Sequence, residues 1–197
     1  MGVRHKNMKT LSILFALLVF GSVYASDYEV VGADALAKIP PGGLLAVKRN
    51  GHPAVLILRS SNAELLSLEE ENPALADPST EKVSKKFERL FPIEVQASYI
   101  STAHRSINPE FFVFVPIGPN GPGCILNVYP PGLVPEEDNL RNIIARLDWK
   151  GGFVDSCDGT AYDLSGRLFG SGDGLNLEIP VHRYDEAGNL TIGGRGA

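Results

Sequence analysis

Cys124 and Cys157, with the acids around the second of them, are the residues in this chain whose types most readily do chemistry. Two thiols are too few for a four-cysteine zinc or iron–sulfur site built by this chain alone, or for a small disulfide-dense scaffold. A redox-active thiol wants positive surroundings that depress its pKa. Asp155 and Asp158 flank Cys157 and would raise it instead. The histidines are His5, His52, His104 and His182. The last three fall in a hairpin turn, a loop and a strand, and read as surface or partly buried side chains. A nucleophile elbow, an H-E-x-x-H helix, a Walker loop and a dinucleotide fingerprint are absent from the settings they need. Gly170-Ser171-Gly172-Asp173-Gly174 is glycine-rich, but it neither follows a buried strand nor opens a periodic helix, and it reads as a turn.

The elements that must position these residues are mostly short strands. Leu44–Lys48 and Ala54–Arg59 are apolar-rich runs on either side of Arg49-Asn50-Gly51-His52, and Asn-Gly between two such runs signals a hairpin. Asn62 is placed to cap a short helix through Leu65, Leu66 and Leu68. Glu81–Leu90 has Val83, Phe87 and Leu90 on one helical face. Phe111–Val115 is an uninterrupted apolar strand, followed by the Pro/Gly-rich loop Pro116–Gly123 and a further strand, Cys124–Val128. Pro135 opens an amphipathic helix. Its first turn holds Glu136, Glu137 and Asp138, and its apolar stripe is Leu140, Ile143, Ile144 and Leu147. Beyond Trp149 the pattern predicts strands at Phe153–Asp155, Ala161–Asp163, Leu177–Pro180, His182–Tyr184 and Leu190–Ile192, with glycines between them. Many short strands with irregular links describe a mostly β domain with small helical insertions.

Composition agrees. The chain has 197 residues, 44% apolar and 21% charged, enough to bury a core and unlike a disordered tail. Gly 21 and Pro 14 favour turns over long helices. The formal charge of −5 and the lack of a Lys/Arg block argue against nucleic-acid binding.

Arg4, His5, Lys6 and Lys9 precede an apolar run from Leu11 to Val23, and Val23-Tyr24-Ala25 supplies small residues where a signal peptidase reads. A membrane span needs about 20 apolar residues, so this shorter run reads as a secretory signal over residues 1–25, cleaved after Ala25. A retained N-terminal anchor is the alternative, and translation can begin at Met1 or Met8. Arg4, Lys6 and Lys9 leave with the signal, and the formal charge of −5 becomes −8. The expected location is periplasmic or secreted, an oxidising setting in which two cysteines can pair.

Residues 151–194 read GGFVDSCDGTAYDLSGRLFGSGDGLNLEIPVHRYDEAGNLTIGG. This stretch resembles the second half of a Rieske iron–sulfur protein of the cytochrome bc type. In that family a GG-W-x-C-P-C-H-G-S-x-Y-D-x-x-G-R box is followed by a G-P-A-P loop, an L-x-V-P strand and a final hairpin. Arg105–Glu110 followed by Phe111–Val115 resembles the approach to the family's first box, C-T-H-x-G-C. Ile39–Arg59 resembles its opening strands, so the likeness covers most of residues 28–194. It implies a Rieske-like antiparallel β domain over residues 26–197, with a small disulfide-stapled cluster-type subdomain at about 116–175 and short helical insertions. Gly159, Tyr162, Asp163, Gly166 and Arg167 stand where the box has them. The family's clamping disulfide falls on Cys124 and Cys157, and so the resemblance implies a structural disulfide there.

The ligand positions depart from the pattern. The family binds a 2Fe–2S cluster through two thiolates on one iron and two imidazoles on the other. Those four positions fall on Pro119, Gly121, Asp155 and Asp158. Proline and glycine side chains have no donor, and carboxylates are hard ligands ill matched to this cluster. Thr160 replaces a serine, and Ser171–Gly174 replaces the proline loop. The expectation is therefore a degenerate Rieske protein with no cofactor, no metal and no catalytic residue. It would act as an accessory or interaction module for a protein partner beside a membrane respiratory complex, with no stable span after signal cleavage. The alternative is the 2Fe–2S electron-transfer subunit of a quinol–cytochrome c reductase. Asp155, Asp158 and Asp173 would crowd the cluster end, where a hard cation is a further reading and solvated loop acids the plainer one.

Overall fold

An uninterrupted apolar strand needs cover on both faces, and Phe111–Val115 finds it between two separate cores. The structure, a computed structural model, describes residues 28–49, 52–69, 75–76, 100, 102–119, 121, 123–129, 149–170 and 175–193. These residues form three antiparallel sheets. The first has the order β1-β10-β9, from β1 (Tyr28–Val31), β10 (Leu190–Gly193) and β9 (His182–Tyr184). The central sheet is β2-β3-β4, from β2 (Leu44–Arg49), β3 (His52–Arg59) and β4 (Phe111–Phe114). The third is β5-β6-β7-β8, from β5 (Leu126–Tyr129), β6 (Gly152–Asp155), β7 (Ala161–Tyr162) and β8 (Leu168–Phe169).

Side chains alternate across a strand, and the central sheet uses both sides. Val55, Ile57, Phe111, Val113 and Val115 pack with Val31, Leu190 and Ile192 of the first sheet. Leu58, Phe112 and Phe114 pack with Leu126, Phe153, Tyr162 and Leu168 of the third. Phe114 and Phe153 bring their ring centroids to 4.5 Å. Each fully buried large apolar side chain contributes about 1.5–3 kcal/mol, so the layering rather than any single contact holds the strands. The outer face of the third sheet is covered too, by Leu75 and Trp149 against Val154, Ala161 and Phe169. Trp149 Nε1 donates to the Tyr162 carbonyl at 2.8 Å.

The hairpin forms as its spacing predicts: Arg49 pairs with His52, leaving Asn50-Gly51 as the link. The two short helices are α1 (Ala33–Ala37) and α2 (Asn62–Glu69). The cap of α2 is one residue earlier than expected. Glu64 N–H donates to Ser61 Oγ at 3.3 Å, and Ser61 N–H donates to Glu64 Oε2. This is a reciprocal capping box, with Asn62 already inside the helix. Leu177–Pro180 is buried but not a strand. The Leu177 N–H goes to the Gly166 carbonyl at 2.8 Å and the Leu177 carbonyl accepts from Arg105, so its polar groups serve a loop instead of a ladder. Strands β1 and β8 and helix α1 were not expected from the pattern. The helices expected at Glu81–Leu90 and from Pro135, with the stripe Leu140, Ile143, Ile144 and Leu147, lie outside the described residues.

Candidate functional site

Two loops at one end of the third sheet carry the residues singled out by the sequence. The first runs from β4 into β5 and folds back on itself. Gly118 N–H donates to the Cys124 carbonyl at 2.6 Å, Cys124 N–H to Gly121 O at 3.0 Å, and Ile117 bridges Ile125. The second loop joins β6 to β7. Asp155 N–H reaches Thr160 O at 2.8 Å, and Gly159 N–H reaches Asp155 O at 2.9 Å. The loops are tied by Ser156 N–H to Ile125 O at 3.0 Å and by the Cys124–Cys157 disulfide, whose Cα atoms stand 5.3 Å apart. The pairing expected from the resemblance is present.

Asp155 is the centre of this arrangement. It is only 1% exposed. Its Oδ1 accepts the Cys157 N–H at 2.8 Å, and its Oδ2 packs on Gly118, where a Cβ would fall 1.8 Å from that oxygen. Only glycine leaves room there. Asp158 is exposed, and its carboxylate turns back to accept the Thr160 N–H at 2.9 Å. Pro119 and Gly121 are half-buried in the first loop. Asp173 lies outside the described residues. Tyr162, buried beneath the second loop, has its phenol pKa raised, first by burial and then by the negative charges of Asp155 and Asp158.

These residues do not fit a 2Fe–2S cluster held by two thiolates and two imidazoles. Pro119 and Gly121 bring no donor atom. Asp155 and Asp158 offer carboxylate oxygens that already accept backbone N–H groups. Both sulfurs nearby are bonded to each other.

Behind the loops the chain is built for rigidity. Asp163 Oδ1 accepts from Ser165 N, Ser165 Oγ and Arg167 N at 2.8–3.0 Å, and Asp163 Oδ2 meets Arg167 Nε at 2.6 Å. Arg167 also donates to the Leu68 carbonyl at 3.0 Å, joining the turn to α2. Gly166, at φ 73°, sits where a Cβ would strike Leu177 and Phe112. Arg105, completely buried, donates to the carbonyls of Ser165, Gly166 and Leu177 at 2.6–3.1 Å. Sequence reasoning missed this residue's role, since arginine in a loop reads as surface. The histidines lie on other segments of the chain. His52 opens β3, His104 is half-buried in a loop, and His182 on β9 is 2% exposed, more deeply buried than expected. Its Nδ1 lies 2.9 Å from the Pro180 carbonyl and its Nε2 lies 3.4 Å from Ser106 Oγ. Burial lowers its pKa to about 4.

Three antiparallel sheets, with two loops of the third stapled by a disulfide, define a Rieske-type β domain. The chain belongs to the family of Rieske iron–sulfur subunits of ubiquinol–cytochrome c reductase. It is 35% identical over 164 residues to the ubiquinol–cytochrome c reductase iron–sulfur subunit of Allochromatium vinosum, a match spanning 83% of this chain and 69% of that one. A shorter stretch of 43 residues is 46% identical to the mitochondrial cytochrome b-c1 complex subunit Rieske of Neurospora crassa, covering 22% of this chain and 19% of that one. No family model matches the chain.

Proposed function

We propose that this chain is an exported Rieske-fold protein without a 2Fe–2S cluster, serving as an accessory or interaction module beside a respiratory complex. The observation that carries this reading is Asp155. At a position the family gives to a thiolate, the chain has a buried carboxylate that holds its own loop through the Cys157 N–H and packs on Gly118. A carboxylate in that place organises the loop but does not match a soft iron–sulfide centre. The family membership supports a partner within a cytochrome bc type complex. The loop end presents Ser156, Cys157 and Asp158 to solvent together with Ile125, which is 51% exposed. A tip carrying the exposed Asp158 with one apolar contact suits a basic protein surface better than a lipid-level quinol pocket, where a carboxylate is costly to bury.

Residues 1–25 act as the export signal, 26–197 form the domain, and about 116–175 form the cluster-type subdomain. Among the described residues no helix is long and apolar enough to cross a membrane. The N-terminal residue of the mature protein, read by mass spectrometry, separates cleavage after Ala25 from a retained anchor.

The second reading, a 2Fe–2S electron-transfer subunit, is favoured by the 35% identity to a protein of that name. Purification from cells that assemble iron–sulfur clusters decides between them. Colourless protein without stoichiometric iron supports the cluster-free module. Iron and acid-labile sulfide near two each per chain, with visible absorption, supports electron transfer.

A further inference from the structure

We propose that two copies of this chain join through β2, pairing antiparallel about a two-fold axis at Ala46 so that the two central sheets become one. β2 is an edge of the central sheet, and two hydrogen bonds fix which of its backbone groups face outward. Arg59 N–H donates to the Gly43 carbonyl at 3.0 Å, so Arg59 turns toward β2. Ser60 N–H donates to the Glu110 carbonyl at 2.8 Å, so Ser60 turns toward β4. Ladder bonds alternate along a strand. With Leu45 opposite Ile57 and Val47 opposite Val55, Leu45 and Val47 therefore bond to β3, and the N–H and C=O groups of Leu44, Ala46 and Lys48 point away from it. Among the described residues they meet no other strand. The remaining edges differ. Phe169 of β8 bridges Leu75, Leu126 N–H of β5 goes to the Pro116 carbonyl, β4 is buried along its length, and β1 and β9 are only four and three residues long.

The face beside this edge is apolar and uncovered. Leu44 and Leu58 are register partners, yet Leu58 is 2% exposed and Leu44 is 43% exposed. The cover that the third sheet gives Leu58, Phe112 and Phe114 ends before β2, where Ala46 is exposed as well and Leu56 beside it is half-buried. Outward backbone groups next to exposed apolar side chains make a template for a further strand.

A second copy is the occupant because β2 is complementary to itself. Turned about Ala46, Leu44 lies opposite the second copy's Lys48, Ala46 opposite Ala46, and Leu45 opposite Val47. The outward groups of Leu44, Ala46 and Lys48 then pair with the same three residues of the other copy, as a two-fold interface requires. Lysine on an edge ordinarily guards against pairing. Here the two Lys48 ammonium groups fall at opposite ends, about 13 Å apart along the strand. That exceeds the screening length of about 10 Å, so they do not oppose the pairing, and each methylene stem lies over a Leu44. Leu44–Lys48 from each copy is a small interface, below the roughly 1,200 Å² of stable complexes, so the dimer dissociates readily.

The test uses the full mature chain with its disulfide intact. Sedimentation equilibrium should show monomer at low micromolar concentration and a rising share of dimer toward about 1 mM. Ala46→Lys sets two ammonium groups face to face on the axis and should weaken the dimer by about fivefold or more. Ala46→Pro removes an outward N–H that β3 does not use, and should give a monomer with the wild-type circular dichroism spectrum. If the proline variant fails to fold, Ala46→Lys carries the decision, since it changes only an exposed side chain. Ala46→Cys reads the register, because an antiparallel hydrogen-bonded pair holds its Cα atoms about 5.5 Å apart, within the span of a disulfide. On air oxidation it should cross-link about tenfold faster than Val30→Cys, which is exposed but lies on the first sheet. A chain that stays monomeric at about 1 mM overturns the proposal, and is the result expected if β2 receives an extended segment of a different protein instead. Dimerisation of Ala46→Lys equal to wild type, or cross-linking of Ala46→Cys no faster than of Val30→Cys, overturns it too. Iron analysis bears on the loop end and not on β2, so this inference and the cluster-free reading fail separately.

Discussion

The carboxylate of Asp155 rests on the bare Cα of Gly118, joining the loop after β4 to the loop after β6. Asp155 is 1% exposed, and its Oδ1 is held by the Cys157 N–H at 2.8 Å. Gly118→Ala should therefore destabilise the domain by about 2 kcal/mol, a fall of roughly 4–8 °C in melting temperature. Thermal unfolding followed by circular dichroism checks this, and an unchanged melting curve would show that the carboxylate is free to yield.

Cys124 and Cys157 close a loop with a sequence separation of 33. Chain entropy assigns such a link about 4 kcal/mol. Cys157→Ala should lower the melting temperature by roughly 8–16 °C, and non-reduced wild-type protein should contain no free thiol by Ellman titration. Free thiols in that sample would contradict the pairing.

His182 is held neutral by burial, with its pKa near 4 in the folded chain against an ordinary 6.5. The unfolded chain therefore binds more protons between these values. The stabilisation is complete above pH 6.5 and is lost as pH falls toward 4, by about 3 kcal/mol. Urea unfolding at a series of pH values should show this slope, and His182→Gln should remove it. A variant with the same slope as wild type would assign the loss to other groups.

Arg105 satisfies three carbonyls from two segments of chain. Lysine keeps the charge but lacks the planar fork, so Arg105→Lys should cost about 2 kcal/mol. Arg105→Met, which removes the guanidinium from all three carbonyls and leaves Gly166 O only the Leu177 N–H, should cost about 4 kcal/mol. Denaturant midpoints at neutral pH test the order, and equal midpoints for lysine and wild type would mean that charge alone suffices.

The parts of the fold legible in the sequence are those governed by local rules. Asn50-Gly51 between apolar runs predicted β2 and β3, and the run at Phe111–Val115 predicted a strand covered on both faces. The likeness to the Rieske box placed the disulfide and the Asp163–Arg167 turn. What sequence reasoning missed depends on distant partners. Tyr28–Val31 is a strand because it pairs with Leu190–Gly193, and Val30 stays exposed, so its pattern is weak. Leu177–Pro180 looks like a strand until Gly166 and Arg105 take its polar groups. Arg105 and His182 are polar types buried by tertiary hydrogen bonds that no spacing announces. At the candidate site the identities of Asp155 and Asp158 were visible, but the place of Gly118 beneath Asp155 required coordinates.

The pairing of Tyr28 with Gly193 has a consequence for the order in which the protein can assemble. A chain emerging N-terminus first displays β1, then the β2–β3 hairpin, long before Leu190 and Ile192 arrive to fill the core between the first two sheets. The hairpin can form early, but β1 waits for a strand at the far end of the domain. Contacts of such separation slow folding, because a long loop must close before any burial rewards it. Assembly of that layer is thus deferred until the whole domain has emerged, so the first sheet is the last of the three to close.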